Sequence, residues 1–248
     1  MDRHSVEIIK LESVDHINQV AAEEWLQQSF TAKQRGVFNL ALSGGSTPKK
    51  LYSKLIQEKK FHEQIPWNII HFFWGDERTV PPDHPDSNFH MAWEAMLKHL
   101  TITEKQLHRI PAEDPDPNLG AEKYEQDIRK HFNVESGIPE FDLIFLGMGP
   151  DGHTASLFPG TEALHERKKL VAANHVRKLN TTRLTMTFAL LNNASCVIFL
   201  VAGEDKAEAL KAVLEGPPNP EVYPAQMIRP KGRLLWLIDH AAGRLLST

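Results

Sequence analysis

The loop at residues 147–154 carries the clearest chemical signal in this sequence. It reads Gly-Met-Gly-Pro-Asp-Gly-His-Thr and follows a strongly apolar segment. Histidine titrates near neutral pH, so His153 is a candidate general base, and Asp151 is close enough in sequence to orient it or tune its charge. A lone histidine is more often structural, but the glycines, the aspartate and the end of a strand together favour proton chemistry here.

The same loop matches the dinucleotide-binding pattern G-x-G-x-x-G letter for letter, yet that interpretation fails. Pro150 and Asp151 stand where a pyrophosphate needs an uncluttered, donating backbone. Residues 171–174, about 20 positions further on, read Val-Ala-Ala-Asn and supply no acid for a ribose. We therefore reject a dinucleotide at this loop.

A second glycine loop has the residues of an anion-binding site. Two glycines let the backbone turn sharply and approach a ligand, and two serines add hydroxyl donors. Thr47 is expected to cap a helix that begins at Pro48, so that the helix N-terminus also serves the loop. A plain strand-to-helix turn is the alternative, and no Gly-Lys-Ser/Thr follows to make a Walker A motif. The candidate phosphate-binding residues are Ser43, Gly44, Gly45, Ser46 and Thr47.

Three charged residues follow a further predicted strand, which ends at Trp74. They are Asp76, Glu77 and Arg78, and they cannot all be buried without partners. Arg78 offers a planar fork suited to a phosphate or a carboxylate, and the two acids can orient it or hold sugar hydroxyls. A solvated loop with local ion pairs is the alternative. The next helix is expected to begin with a cap in the sequence Asp-Ser-Asn at 86–88.

Two more cations are candidates for an anionic ligand. Asp205 and Glu208 have the spacing of a capping box, which predicts a helix start around Lys206. A cation in the first helical turn opposes the helix dipole, and an anionic ligand would offset that cost. An exposed surface lysine is the alternative. Arg183 is a further candidate cation.

Other hydrolytic chemistry finds little support in the sequence. The 13 histidines include no His-x-x-x-His pair on a plausible helix, and one cysteine cannot build a thiolate metal site, so we expect no metal. Cys196 lies within an apolar run and is expected to be a core residue. No G-x-S-x-G elbow is present for a serine nucleophile. Four histidines are expected to be solvated on helices: His62, His99, His131 and His165.

The elements that must position these loops alternate between strands and helices. Apolar runs predict buried parallel strands at 37–42, 67–74, 141–146, 196–201 and 234–238. Helical spacing of apolar residues predicts helices at 17–33, 48–60, 89–100 and 119–132. This pattern is typical of an α/β protein with a mostly parallel sheet covered by helices on both faces. Ligands of such sheets bind beyond the carboxyl ends of the strands, where all the candidate loops fall.

The bulk composition is that of an ordinary globular protein. Of its 248 residues, 41% are hydrophobic and 24% charged, and the formal net charge is -4. Proline-rich stretches at 111–118 and 216–224 are short, so we expect surface loops within a single domain over 1–248. A mildly acidic chain without a signal peptide or long apolar run predicts a cytoplasmic protein with no nucleic-acid or membrane partner. A monomer is the default expectation.

Several of these blocks resemble one family, that of the 6-phosphogluconolactonases and glucosamine-6-phosphate isomerases. The most specific is 147–160, and shorter blocks at 42–48, 75–80, 86–88, 183–185, 203–207, 224–225 and 236–239 agree. The resemblance covers roughly 37–242, with Ala189 as one departure where the family often has proline. It implies a Rossmann-like three-layer α/β/α fold.

The resemblance also implies a reaction. It is hydrolysis of 6-phospho-D-glucono-1,5-lactone to 6-phosphogluconate in the oxidative pentose phosphate pathway, with no cofactor. His153 would activate water, Arg78 or a backbone N–H would meet the oxyanion, and Lys206, with Arg183 or Arg78, would help hold the phosphate. A glucosamine-6-phosphate deaminase is the nearest alternative, but residues 154–158 lack the acid that supports its histidine. A non-catalytic sugar-phosphate sensor is an alternative of another class.

Overall fold

The computed structural model describes residues 6–247. Within this range the chain forms ten strands: β1 Val6–Leu11, β2 Phe38–Leu42, β3 Ile70–Trp74, β4 Asp76–Arg78, β5 Leu107–His108, β6 Leu143–Leu146, β7 Val171–Val176, β8 Thr181–Met186, β9 Cys196–Val201 and β10 Arg233–Asp239. The same residues form seven α-helices: α1 Val14–Ala32, α2 Ser46–Gln57, α3 Lys59–Gln64, α4 Asn88–Ala95, α5 Pro117–Phe132, α6 Phe188–Leu191 and α7 Ala207–Glu215.

Seven of these strands form one parallel sheet in the order β1-β10-β9-β6-β2-β3-β5. The first and last strands of the described chain, β1 and β10, are neighbours, with Val6 opposite Leu234. The first and last strands of the described chain therefore belong to the same sheet. Strands β2, β6 and β9 lie side by side at its centre, so the loops that leave their carboxyl ends meet in space.

Helices cover both faces of this sheet, as adjacent residues of β3 demonstrate. The ring of Phe72 lies 6.5 Å from that of Trp25 in α1, whereas the ring of Phe73 lies 6.0 Å from that of Phe132 in α5. Successive side chains of a strand point to opposite faces, so α1 and α5 belong to different layers. The predicted three-layer α/β fold with a mostly parallel sheet is confirmed.

A small antiparallel sheet, in the order β4-β8-β7, stands beside the main one. Gly75 joins the two sheets, because its N–H donates to the carbonyl of Leu42 and its carbonyl accepts from the N–H of Met186. This arrangement brings Arg78 in β4 directly opposite Arg183 in β8. The charged residues after Trp74, predicted as a loop, are thus themselves a strand.

The sequence predictions succeeded for long apolar segments and failed at several boundaries. All five predicted strands exist, although the one predicted at 67–74 begins only at Ile70, after a 3-10 turn at Trp67–Ile69. All four predicted helices exist as well, with 48–60 divided into α2 and α3 and 89–100 ending as a 3-10 turn. Strands β1, β4, β5, β7 and β8 were missed, because they are short, charged or at a sheet edge.

Two predicted helix starts were wrong. Helix α2 begins at Ser46 with Gly45 as its N-cap, and Thr47 lies inside its first turn. Helix α7 begins at Ala207 after a short 3-10 turn, without the capping-box hydrogen bonds expected from Asp205. The predicted cap at Ser87 is confirmed, since its side chain accepts a hydrogen bond from the N–H of His90. No helix within residues 6–247 has the length and apolar character needed to cross a membrane.

Candidate active site

A cleft of about 570 Å³ opens at the carboxyl ends of the central strands. It lies where the loops after β2, β6 and β9 converge, together with β4 and β8 of the small sheet. Ten of the twelve residues predicted for the site line it, and Asp151 and Glu77 do not: the ten are Ser43, Gly44, Gly45, Ser46, Thr47, Asp76, Arg78, His153, Arg183 and Lys206. Residues up to 163 positions apart are thus brought around one cavity, with Ser43 and Lys206 as its extremes.

His153 is held in one orientation by Asp151. Nδ1 of His153 lies 2.5 Å from Oδ1 of Asp151, and the same oxygen accepts from the backbone N–H of His153. The other oxygen of this carboxylate forms an ion pair with the ammonium of Lys178. Because a carboxylate only accepts, Nδ1 carries the proton and Nε2 keeps the free lone pair that a general base needs.

The surroundings of His153 keep its ring neutral. Its pKa is lowered to about 4, mainly by burial and also by Lys206 and Arg183, while Asp76 opposes them. One face of the ring stacks on Phe158 at 4.0 Å between centroids. Lys178 offsets the charge of Asp151, so the carboxylate orients the imidazole more than it attracts a proton to it. A neutral imidazole in a partly desolvated cleft is ready to accept a proton.

Glycine at position 149 makes room for this ring. A methyl group built there would lie 2.1 Å from atoms of the His153 imidazole, far inside van der Waals contact. The backbone N–H of Gly149 also donates to the carbonyl of His153 and closes the loop. The glycine therefore serves the placement of the base.

The loop after β2 presents an open helix N-terminus. No side chain caps α2, whose N-cap is Gly45 with a φ of 104°, a conformation that favours glycine. Tyr52 braces the loop, because its hydroxyl accepts from the N–H of Ser43 and donates to the carbonyl of Ser43. The first N–H groups of α2 thus lack side-chain partners at the cleft wall, which suits an anion.

Close packing fixes the position of that loop relative to β4. A Cβ at Gly44 would lie 1.9 Å from Oδ1 of Asn88, so only glycine fits there. The amide of Asn88 donates to the carbonyl of Asp76 at 2.8 Å. Oδ2 of Asp76 accepts a 2.6 Å hydrogen bond from the hydroxyl of Ser156, so this acid is tied to the cleft wall by two neighbours.

Arg78 and Arg183 form a like-charged pair across the small sheet. Residues directly opposite in an antiparallel pair share a face, where like charges destabilise each other. The Nε atoms of both arginines are buried, without a hydrogen-bond partner, and their side chains reach the cleft. Burial and the neighbouring Arg78 lower the pKa of Arg183. Nη1 of Arg78 donates to the carbonyl of Asp86. Two neighbouring guanidinium groups at the cleft bring positive charge that suits an anionic ligand.

Glu77 lies behind the cleft wall. Its carboxylate accepts hydrogen bonds from the backbone N–H groups of Arg78, Asn88 and Phe89 and from the hydroxyl of Ser87. Burial raises its pKa, against the effect of these donors. The predicted role of Glu77 in holding sugar hydroxyls is therefore replaced by a structural one: the carboxylate holds the N-terminus of α4.

Lys206 lines the cleft and is mostly buried, with 21% of its side chain exposed. Its ammonium lies 2.5 Å from Oδ2 of Asp205, which also lines the cleft. An exposed surface lysine, the alternative reading, does not describe this side chain. The ammonium contributes positive charge to the cavity that holds His153.

The cleft residues that the sequence analysis missed include Ser156, Phe158 and Lys178. Ser156 and Phe158 belong to the same block as His153 and could have been taken with it. Lys178 stands in a 3-10 turn between β7 and β8, and only the pairing of these strands carries it to Asp151. No sequence motif signals that contact.

The structure also corrects one histidine. His131 was predicted to be solvated, but it is half-buried, and its ring lies 4.3 Å from that of His71 and 4.6 Å from that of His108. Burial and the two neighbouring histidines lower the pKa of His131 to about 4. Cys196, by contrast, is buried as predicted, and burial raises the pKa of its thiol to about 11.

Comparisons with known proteins agree on one family. A sequence model described as glucosamine-6-phosphate isomerases/6-phosphogluconolactonase matches residues 12–236. A 6-phosphogluconolactonase of a Nostoc species is 48% identical over 216 residues, 87% of each chain. One from a Synechocystis species is 46% identical over 214 residues, 86% of each chain. A solved 6-phosphogluconolactonase from Trypanosoma cruzi superposes with a TM-score of 0.85 at 28% identity, covering 100% of this chain and 99% of that one.

Proposed function

The chain belongs to the glucosamine-6-phosphate isomerase/6-phosphogluconolactonase family, and we propose that His153 is its general base in lactone hydrolysis. The reaction is hydrolysis of 6-phospho-D-glucono-1,5-lactone to 6-phosphogluconate, a step of the oxidative pentose phosphate pathway. The observation that carries the proposal is the 2.5 Å contact of His153 with Asp151, beside a cleft lined by four cationic side chains and an open helix N-terminus. That cleft offers a base and an anion site together.

The chemistry begins with a water molecule beside Nε2 of His153. The imidazole takes a proton from this water as its oxygen attacks the C1 carbonyl of the lactone. Asp151 stabilises the imidazolium that forms and keeps its orientation. The C1 carbonyl oxygen becomes an alkoxide, and we assign Arg78 to meet it with a guanidinium N–H.

Collapse of the tetrahedral intermediate opens the ring. The bond between C1 and the ring oxygen breaks, and the imidazolium returns its proton to that oxygen as it leaves as the C5 hydroxyl. The product is a carboxylic acid that loses its proton to solvent. His153 is then neutral again, and no metal or organic cofactor enters any step.

The 6-phosphate is assigned to a second group of donors in the cleft. Ser43, Gly44, Gly45, Ser46 and Thr47 supply hydroxyls and the N-terminus of α2, and Lys206 and Arg183 supply positive charge. The phosphate is remote from C1, so its binding energy serves to position the carbonyl rather than to change its chemistry. Asp76 also lines the cleft, where the hydroxyl of Ser156 holds its carboxylate.

We further propose that the chain 1–248 is a single domain, acts as a monomer and works in the cytoplasm on a small-molecule substrate, without a nucleic-acid or membrane partner. The pairing of β1 with β10 supports the single domain. The concentration of donors within one cleft supports a small anionic substrate. The net charge of -4 gives the surface no general attraction for nucleic acid.

An assay of three substrates tests the proposed function. We expect fast hydrolysis of freshly generated 6-phosphogluconolactone above its spontaneous rate, insensitive to EDTA, and slow hydrolysis of unphosphorylated gluconolactone. We expect no ammonia from glucosamine 6-phosphate. Ammonia release would instead make the chain a deaminase. Tight binding of 6-phosphogluconate without any turnover would indicate a sensor.

A further inference from the structure

Three histidines from distant parts of the chain converge on the side of the sheet covered by α5. His71 lies in β3, His108 in the short edge strand β5 and His131 in the last turn of α5. We call them the histidine cluster. They are separated by 37 and 23 positions along the sequence and share no motif, yet all three are half-buried side by side. Such convergence of imidazoles requires a physical reason.

The spacing of the ring nitrogens suits one metal ion. One nitrogen from each ring can be chosen so that the three lie within 4.8 Å of one another. Nδ1 of His71 and Nε2 of His108 are 3.1 Å apart. Zn–N bonds of about 2.0–2.1 Å in tetrahedral geometry place two nitrogens roughly 3.3 Å apart, so this pair needs almost no movement, and the ring of His131 has to move closer to share the ion.

In each of the three rings, the nitrogen that is not needed for the metal is held by a hydrogen-bond acceptor. Nδ1 of His108 lies 2.8 Å from Oδ2 of Asp127, and Nε2 of His131 lies 2.7 Å from Oδ1 of Asn39. The ring of His71 hydrogen-bonds the backbone carbonyl of Lys105. Metal-binding histidines show this arrangement, because an acceptor on the outer N–H fixes the tautomer and aims the other lone pair at the ion.

We propose that the histidine cluster binds one divalent transition-metal ion, Zn²⁺ by preference, through Nδ1 of His71, Nε2 of His108 and Nδ1 of His131, with water in the fourth position. Three imidazoles without thiolate or carboxylate ligands form a set that suits borderline ions rather than Mg²⁺ or Ca²⁺. Phe73 stacks on His108 at 4.2 Å and closes one side of the cluster.

This site is separate from the lactonase cleft. None of its three histidines is among the residues that line the cleft, and within the described chain they are the only group of three potential ligands this close together. The ion would tie β5, which has only two residues and one neighbouring strand, to β3 and α5. Its effect is therefore on stability, and lactone hydrolysis proceeds without it.

Binding of Zn²⁺ and Co²⁺ to the purified, EDTA-treated full chain tests the proposal. We expect one Zn²⁺ per chain by titration calorimetry, a visible Co²⁺ spectrum of low-coordinate type, and a Tm about 5 °C higher with Zn²⁺ at 100 times its Kd. His131→Gln should weaken binding more than 100-fold and Asp127→Asn, which removes only an outer partner, by about 10- to 100-fold. His99→Gln, on an exposed histidine, is the matched control.

A further variant separates the cluster from the cleft. Zn²⁺ affinity should be unchanged in His153→Gln, and lactonase activity should be unchanged by saturating EDTA in the wild type. The proposal is overturned if the wild type binds no Zn²⁺ or Co²⁺, if Asp127→Asn and His131→Gln bind as the wild type does, or if His153→Gln alone abolishes binding. Because Asp127→Asn keeps all three imidazoles, it remains informative should His131→Gln fail to fold.

Discussion

Asp151 accepts a hydrogen bond from Nδ1 of His153 at 2.5 Å, although only Gly152 lies between them in the chain. The tight turn through Gly152, which has a φ of 74°, allows the carboxylate to fold back onto the ring. The base and the group that orients it therefore move as one unit. A contact with Lys178 ties this unit to the hairpin of β7 and β8.

Removing the charge of Asp151 should impair catalysis more than binding. In Asp151→Asn the amide can donate to Nδ1, which moves the ring proton to Nε2 and blocks the base. We expect kcat to fall about 100-fold, within the range that proton-transfer catalysis contributes, with KM little changed. Steady-state kinetics with Asp83→Asn, an exposed aspartate, as control provide the measurement. A rise in KM at constant kcat would contradict this role.

The pH dependence of kcat should follow the neutral state of His153. The base works above its pKa of about 4, so kcat should be constant from pH 7 to 5 and fall as the pH drops through about 4. Saturating substrate is needed, because its phosphate ionises near pH 6 and would otherwise enter through binding. A half-maximal kcat at pH 6.5 would show instead that Asp151 controls the ring.

Lys178→Met should move the fall of kcat at low pH to a higher pH. The ammonium offsets the charge of Asp151, and without it the carboxylate favours the imidazolium and raises the pKa of His153. The side chain of Lys178 is 51% exposed, so solvent screening limits the shift to about half a pH unit. Lys168→Met, on an exposed lysine, should leave the profile in place. A shift of the half-maximal kcat to lower pH would contradict the claim that Lys178 offsets the charge of Asp151.

Gly149→Ala should displace the base without altering phosphate binding. The added methyl group would overlap the ring of His153, and a shift of about 1 Å can cost 100-fold in rate. We expect kcat to fall about 10- to 100-fold. The matched variant Gly75→Ala meets only ordinary contacts at 3.7 Å or more, so it should retain most of the activity. Equal losses in both variants would mean that folding, not the base, was affected.

Lys206→Met should selectively weaken binding of the phosphorylated substrate. A charge-assisted hydrogen bond contributes roughly 1.5–3 kcal/mol, so KM for 6-phosphogluconolactone should rise about 10- to 100-fold. Hydrolysis of unphosphorylated gluconolactone should stay as it is, and Lys211→Met on the exposed side of α7 should change neither substrate. An equal loss on both lactones would place Lys206 at the reacting carbon.

The sequence predicts the main sheet well because its strands are buried on both faces. The segment Cys196–Val201 has no polar residue and matches its strand at both ends. The small sheet could not be predicted, because β4 consists of three charged residues and β8 begins Thr-Thr-Arg. Neither pattern is typical of a strand, and both segments become strands only by pairing with each other. Helix α2 begins two residues earlier than predicted because Gly45, rather than Thr47, is its N-cap.

Site residues in loops that directly follow strands were predictable from the sequence. Contacts between residues that are far apart in the sequence were not. Ser43 and His153 could be identified because each lies in a glycine-rich loop at the end of a strand. Lys178 reaches Asp151 only through a hairpin, and His131 reaches two other histidines only because α5 packs on β3 and β5. Glu77 was misread because its neighbours in sequence suggested a ligand, whereas its buried carboxylate serves α4.

The most direct test of the central claim compares His153→Ala with His165→Ala in hydrolysis of freshly generated 6-phosphogluconolactone, measured at slightly acidic pH to slow the spontaneous reaction. His165 is an exposed histidine paired with Glu221 outside the cleft and serves as the control. We expect His153→Ala to lose about 100- to 10,000-fold in kcat. His165→Ala should match the wild type. Full activity in His153→Ala, with the fold intact, would contradict the assignment of His153 as the base.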